Sequence, residues 1–388
     1  MKRLSRCVAA AAAAATLVIG LAACTGEGAG TDAAENGGDG APSRASDITV
    51  GVAMPTQTSE RWIADGNSVR EGLEAAGFDV NLQFANDDIP TQQQQIDQMI
   101  TQGADILIVA PIDGTALANQ LQAAADAGIP IIAYDRLIRD TANVDFYVTF
   151  DNFQVGVYQA NSLLHGLGFL DAEGNETGEA GPFTIELFAG SLDDNNAHFF
   201  WDGAMSILQP LIDDGTLVVG SGQTSIEQAA ILRWSQETAQ RRMEDLLTAH
   251  YGGGSVPLHG VLSPFDGISR GIITALQNAG VGPGLAEGLP AITGQDAEIA
   301  SVTLIDRGVQ FSTIFKDTRH LAEQAVIAAQ AFAEGRTPEA NNTTDYDNGV
   351  KIVPAFLLPV STVTVDDIQS VLIDSGFFTE EQVERGQL

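Results

Sequence analysis

Residues 115–136 read TALANQLQAAADAGIPIIAYDR, and this stretch contains one full unit of the plan on which the chain is built. Thr115–Ala127 is helix-like, and Gly128 stands where a helix C-terminus takes a left-handed residue. Ile129-Pro130-Ile131-Ile132-Ala133 is continuously apolar, as a parallel strand covered on both faces requires. Asp135-Arg136 then places a carboxylate and a guanidinium just past the strand's carboxyl end.

The unit recurs outward in both directions. Short apolar runs occur at Ile48–Val52, Ile106–Val109, Phe183–Phe188, Val261-Leu262, Ala291–Thr293 and Phe311–Phe315. Between them lie helix-like segments at Arg61–Ala76, Thr91–Gln102, Phe153–Leu167, Gln228–Ala249 and Thr318–Glu334. Gly77, Gly103 and Gly335 close three of these as Gly128 closes its own. Strand–helix alternation over this length predicts an α/β protein with two doubly wound parallel sheets.

The N-terminus assigns the compartment. Lys2, Arg3 and Arg6 precede an apolar run too short to span a bilayer, which predicts a removed signal peptide over residues 1–23. Leu21-Ala22-Ala23-Cys24 resembles the lipobox of bacterial lipoproteins, and that resemblance implies cleavage before Cys24 and its acylation. Several acyl chains together make a lasting membrane anchor. Residues 24–47 are rich in Gly, Ala, Asp and Ser, which predicts a tether before the folded part begins near Ile48. With Cys7 lost in the leader, Cys24 has no partner for an internal disulfide, so stability comes from the core. The net charge of −33 falls to −36 without the leader's three cations. That balance excludes a basic footprint for nucleic acid and a polybasic patch for anionic lipid.

Ligands of open parallel sheets bind beyond the carboxyl ends of the strands, and here those ends are polar. The clusters are Glu60-Arg61-Trp62, Asp135-Arg136, Asp151-Asn152, Asp193–Asn196, Asp266, Gln295-Asp296 and Lys316. Asp and Asn at such places also cap the following helix. Arg136 and Lys316 do not suit that role, because a cation at a helix start opposes the macrodipole. Carboxylates accept the protons that sugar hydroxyls donate, and Arg, Asn and Lys donate to the same oxygens. Trp62 and Trp234 are candidate platforms for the apolar face of a sugar ring.

On Glu60-Arg61-Trp62, Ala133–Ile138, Phe150-Asp151-Asn152, Asp194–Ala197, Ser263–Gly267, Gly294–Ala297 and Ser312–Lys316, the chain resembles the type I periplasmic sugar-binding proteins, in their xylose and multiple-monosaccharide branch. The resemblance implies two lobes joined by a three-stranded hinge, with crossovers near Asn152, Asp317 and Lys351. The expected lobes are residues 48–152 plus 317–350, and 153–316 plus 351–388. It further implies that Arg61, Trp62, Asp135, Arg136, Asn152, Asn196, Trp234, Asp266, Asp296 and Lys316 contact a monosaccharide, with Asp194 and Asn195 only supporting Asn196. The implied partners are an ABC-transporter permease, the membrane through lipidated Cys24, and alternatively a membrane sensor. The resemblance also implies a monomer that needs no cofactor and is not an enzyme. The acidic stretch Leu170–Gly181 departs from the family pattern.

Two rival chemistries have sequence support. Gly267-Ile268-Ser269-Arg270-Gly271 matches G-x-S-x-G after a strand, with Asp296, Asp306 and His320 downstream in a hydrolase order. Ser269 nevertheless falls inside the first helical turn instead of at a sharp bend. Asp171, Glu173 and Asn175 alternate like the start of a calcium loop, but Pro182 stands where the bidentate Glu belongs. The sequence has no P-loop, no G-x-G-x-x-G after a strand and no H-E-x-x-H.

Overall fold

The computed structural model describes residues 48–388; the expected signal peptide, Cys24 and the tether lie outside the described residues. From the start, strands β1 (Thr49–Met54), β2 (Asp79–Phe84), β3 (Ile106–Val109), β4 (Ile131–Tyr134) and β5 (Phe146–Phe150) alternate with helices α1 (Glu60–Ala75), α2 (Ile89–Thr101) and α3 (Ala118–Asp126). There follow α4 (Asn152–Gly166), β6 (Phe183–Leu187), α5 (Asn195–Asp213), β7 (Leu217–Val219), the single turn α6 (Ile226–Ala229), α7 (Gln236–His250), β8 (Gly260–Leu262) and α8 (Asp266–Asn278). The chain ends through β9 (Ala291–Ile292), α9 (Ile299–Asp306), β10 (Thr313–Phe315), α10 (Thr318–Ala333), β11 (Ala355–Leu358), β12 (Ser361–Val363) and α11 (Glu380–Arg385).

A six-stranded sheet in the order β11-β5-β4-β3-β1-β2 forms the first lobe, and a four-stranded sheet in the order β7-β6-β8-β9 forms the second. All pairings within both sheets are parallel. β3 and β4 are buried at every residue, as their unbroken apolar runs require. β2 carries Asp79, Asn81 and Gln83 at alternate positions and takes the sheet edge. One apolar layer packs β1, β3 and β4 against Val69, Leu73, Leu321 and Ala325 of α1 and α10; another covers the opposite face with Ile96, Met99, Leu121 and Ala124 of α2 and α3.

The polypeptide passes from the first lobe to the second between β5 and α4, returns between β10 and α10, and passes again between β11 and β12. The last passage corrects the expectation of a crossover near Lys351. Ala355–Leu358 stands in register with Tyr147–Phe150, so residues 351–358 belong with the first lobe, and the chain leaves only between Leu358 and Ser361. β12 then pairs antiparallel with β10.

Capping explains part of the polar clustering. Asp151, Asp194 and Asp317 accept the backbone N–H groups of Gln154, Asn196 and Arg319 at the starts of α4, α5 and α10. The expected helix Gln228–Ala249 is broken. Arg233 and Trp234 take left-handed φ values of 57° and 55°, so the chain turns sharply before α7 starts at Gln236. α4 and α5 cross so closely that a Cβ at Gly156 would stand 2.0 Å from the Phe200 carbonyl oxygen, and one at Gly203 would stand 2.1 Å from that of Phe153. Only glycine permits this contact.

Candidate binding site

The carboxyl ends of both sheets open onto one cavity of about 410 Å³, within the range of small-molecule sites. Eight of the ten expected contacts line it: Arg61, Trp62, Asp135, Arg136, Asn196, Trp234, Asp296 and Lys316. They come from sequence positions as far apart as 61 and 316 and from both lobes.

Arg61 is the hub. It lies in the first turn of α1, where the macrodipole disfavours a cation, and carboxylates surround it. Its Nε donates to Asp65 Oδ2 at 3.1 Å, its Nη1 to Asp296 Oδ1 at 3.2 Å, and its Nη2 to Asp135 Oδ1. The charge of those carboxylates raises the Arg61 pKa well above its ordinary value, against the effect of burial. Lys316 is buried and reaches Asp296 Oδ1 at 2.8 Å, so one carboxylate oxygen of the second lobe receives cations from both sides. Burial would raise the Asp135 pKa, but Arg61, Lys316 and Arg136 outweigh it and hold the carboxyl below its ordinary range.

The loops after the strands aim these groups. Asp135, directly after β4, and Asp296, four residues past the end of β9, both have positive φ, 59° and 91°. The Asp135 carbonyl oxygen accepts from Tyr147 Oη at 2.7 Å, Thr149 Oγ1 at 2.9 Å and Asn196 Nδ2 at 2.8 Å. The Asn196 bond crosses from one lobe to the other. Further crossings join Arg136 Nε to Asp194 Oδ2 at 3.0 Å, Ser59 Oγ to Glu298 Oε1 at 2.9 Å, and Arg233 Nη1 to the Ile112 carbonyl at 3.2 Å. Ser59 occupies the N-cap position of α1 but makes no capping bond; its hydroxyl spans the cleft instead. The lobes are closed upon each other.

The two indoles are held in different ways. Trp62 is buried beneath two guanidinium groups, with the Cζ atoms of Arg61 and Arg136 at 5.1 and 5.0 Å from the ring centre, within cation–π range. Trp234 stands on the strained turn, edge-to-face with Phe200 and Phe265 at 6.2 Å each. Its ring rests on Gly190, where an added Cβ would meet the indole at 2.0 Å.

Two expected contacts do not reach the cavity. Asn152 is buried behind the wall, where its Nδ2 donates to Asn196 Oδ1 at 3.1 Å, so it orients the residue that does line the cavity. Asp266 is also buried: Oδ2 accepts the Glu298 backbone N–H and Oδ1 accepts Gln310 Nε2, each at 2.9 Å. It lies at the first residue of α8 and braces the turn after β9. Burial pushes its carboxyl up to about 8, only partly offset by Arg270.

Sequence reasoning missed Arg270, Glu298 and Arg233, and it gave Asp194 a supporting role only. Arg270 Nη2 pairs with Glu298 Oε2 at 2.6 Å, and both line the cavity. The i, i+4 spacing of Asp266 and Arg270 on one helix was the available signal. Asp194 caps α5 and also lines the cavity beside Arg136. Arg233 reaches the cavity only because the chain breaks there, which a continuous helix over Gln228–Ala249 does not allow.

The hydrolase arrangement does not form. Ser269 is buried in α8, with its hydroxyl donating to the Thr293 carbonyl at 2.7 Å, whereas His320 is exposed at the start of α10 in the first lobe. The Asp171–Asn175 turn closes on itself through Asn175 N–H to Asp171 Oδ1 at 2.7 Å. Among the described residues no group of three or more His, Cys, Asp or Glu side chains is arranged to hold a metal ion.

Two parallel-sheet lobes closed over a polar cavity lined by aromatic rings define a binding protein of the periplasmic type. Residues 50–337 match the periplasmic binding protein domain, and the chain belongs to that family with the type I fold. It is 52% identical over 344 residues to the multiple sugar-binding periplasmic receptor ChvE of Rhizobium radiobacter, covering 88% of this chain and 94% of that one. It is 34% identical to the D-xylose-binding periplasmic protein of Escherichia coli, covering 87% and 93%. Among solved structures, an ABC-transporter solute-binding protein from Clostridium phytofermentans with bound β-D-glucose superposes with a TM-score of 0.79 at 40% identity, covering 86% of this chain and 99% of that one.

Proposed function

We propose that this protein captures a free monosaccharide, an aldose such as glucose, xylose or galactose, outside the cell and delivers it to the permease of an ABC transporter. The observation that carries the reading is the cavity itself. Its lining combines indole rings with carboxylate acceptors and fixed N–H donors, the complement of a ring of hydroxyls. The names and bound ligand of the relatives support the same class of ligand.

In this reading Arg61, Trp62, Asp135, Arg136, Asn196, Trp234, Asp296 and Lys316 contact the sugar, joined by Asp194, Arg270 and Glu298. The lobes rotate about the three connections between them, and the closed form is the one the permease recognises. Ligand that binds both walls at once biases the open–closed equilibrium. The Leu21–Cys24 sequence supports a lipoprotein held at the outer face of the cell membrane through Cys24.

A thermal-shift screen against xylose, glucose, galactose, arabinose, fucose and ribose, followed by calorimetry, tests the ligand class. Stabilisation by at least one aldose is expected; stabilisation by amino acids alone would redirect the assignment. Mass spectrometry of membrane-extracted protein tests the anchor, with a diacylglyceryl adduct on Cys24 expected.

A further inference from the structure

Asp65 lies one helical turn beyond Arg61 on α1 and is not part of the cavity wall. It is completely buried, and both its carboxylate oxygens are engaged. Oδ2 accepts Arg61 Nε at 3.1 Å, and Oδ1 accepts Tyr134 Oη from the end of β4 at 2.9 Å.

The consequence follows from the shape of a guanidinium group. A bond at Nε and two at the Nη atoms use separate edges of one rigid plane. With Nε held by Asp65, rotation about the last side-chain bonds is blocked. Nη2 then faces Asp135 of the same lobe, and Nη1 faces Asp296 of the other. Asp65 is tied to α1 by its backbone and to β4 through Tyr134, so its own position does not depend on the second lobe.

We propose that Asp65, backed by Tyr134, is a positioning residue for ligand capture: it presets Arg61 in the open first lobe, so that one Nη group meets the sugar beside Asp135 while the other is already aimed at Asp296. The assignment rests on the sugar-binding reading above. Asp65 touches no ligand, and its effect passes entirely through Arg61. Among the residues already assigned to the site, none of the strand-end clusters includes it; its only sequence signal is the Arg61–Asp65 spacing.

A double-mutant cycle tests this, with D-glucose and D-xylose as probes in calorimetry and unfolding monitored in parallel. Asp65→Asn keeps the side-chain shape and is expected to weaken binding about tenfold or more, the scale of a lost hydrogen bond between charged groups. Tyr134→Phe is expected to weaken it by a smaller factor. In an Arg61→Lys background, Asp65→Asn is expected to change the dissociation constant less than twofold, because the group it positions is gone. Its effect on the unfolding midpoint should persist in that background. Equal fold-changes in both backgrounds would show a general structural role and overturn the proposal, as would unchanged sugar binding by Asp65→Asn alone. A wild-type protein that bound no monosaccharide would overturn the sugar reading and this assignment together.

Discussion

The two walls of the cleft are built on different principles. On the first lobe, Arg61, Asp65, Tyr134 and Asp135 bond to one another, and Trp62 lies under two guanidinium groups. Those bonds lie within the first lobe, and Arg61, Arg136 and the Asp135 carbonyl add bonds across the cleft to them. On the second lobe, Asp296, Glu298 and Asp194 find cations or donors across the cleft, and Trp234 stands on a left-handed turn resting on a glycine. A buried carboxylate needs such partners, since desolvation otherwise forces it to take up a proton. If ligand docks first on the wall with more bonds of its own, variants of the two walls should differ in their effects.

Arg61→Ala removes the centre of the first-lobe wall and leaves the buried carboxylates of Asp65 and Asp135 without their bonded cation, while Asp296 keeps Lys316. We expect a loss of about 3–5 kcal/mol in stability and no measurable sugar binding, read by chemical denaturation and calorimetry. Near-native stability of this variant would erase the distinction between the walls.

Gly190→Ala attacks the second wall alone. The new methyl group would occupy space already held by the Trp234 ring. Overpacking of this kind costs about 1–3 kcal/mol, and we expect it mainly in sugar affinity, with little change in the first lobe's hydrogen-exchange protection.

The brace behind the second wall should appear in the pH dependence of stability. The Asp266 carboxyl lies at about 8 in the folded chain, against an ordinary value of 3.8. The Asp65 carboxyl, raised chiefly by burial, lies at about 7. Between about pH 4 and 8 the native state therefore holds more protons than the unfolded chain. Stability from these two groups is fully present at the acidic end and is lost as pH rises through that window. Asp266→Asn should flatten the fall in unfolding midpoint between pH 6 and 8; an unchanged slope would remove Asp266 as its source.

Arg233→Ala should have the smallest effect. Its ion pair with Asp193 at 2.9 Å is partly exposed, which limits it to about 0–1 kcal/mol. Because Arg233 also bonds the Ile112 carbonyl across the cleft, the loss should fall on the sugar's dissociation rate, measured by stopped-flow fluorescence. A slowed association with unchanged dissociation would place Arg233 outside the closing contacts.

Much of the architecture and most of the site were legible before any coordinates. Unbroken apolar runs such as Ile106–Val109 announced covered parallel strands, and polar residues just past them announced the cleft, because strand ends in such sheets converge on one edge. What escaped was set at a distance. Ala355–Leu358 gives no local sign of which sheet it joins; its pairing with Tyr147–Phe150 decides that. Asp266 has the chemistry of a ligand contact, yet Gln310 and the Glu298 backbone claim its oxygens from behind the wall. The break at Arg233-Trp234 contains no glycine or proline to signal it, and only the packing of Trp234 on Gly190 and among Phe200 and Phe265 explains it.

By itself the sequence determined the alternation of strand and helix, the strand ends that carry charge, and the indoles available as candidate platforms, because these follow from local periodicity and side-chain chemistry. Only the tertiary structure decided which carboxylates face the cavity and which brace it. That choice depends on competition among buried donors for each oxygen, and the competitors lie on segments far apart in the chain.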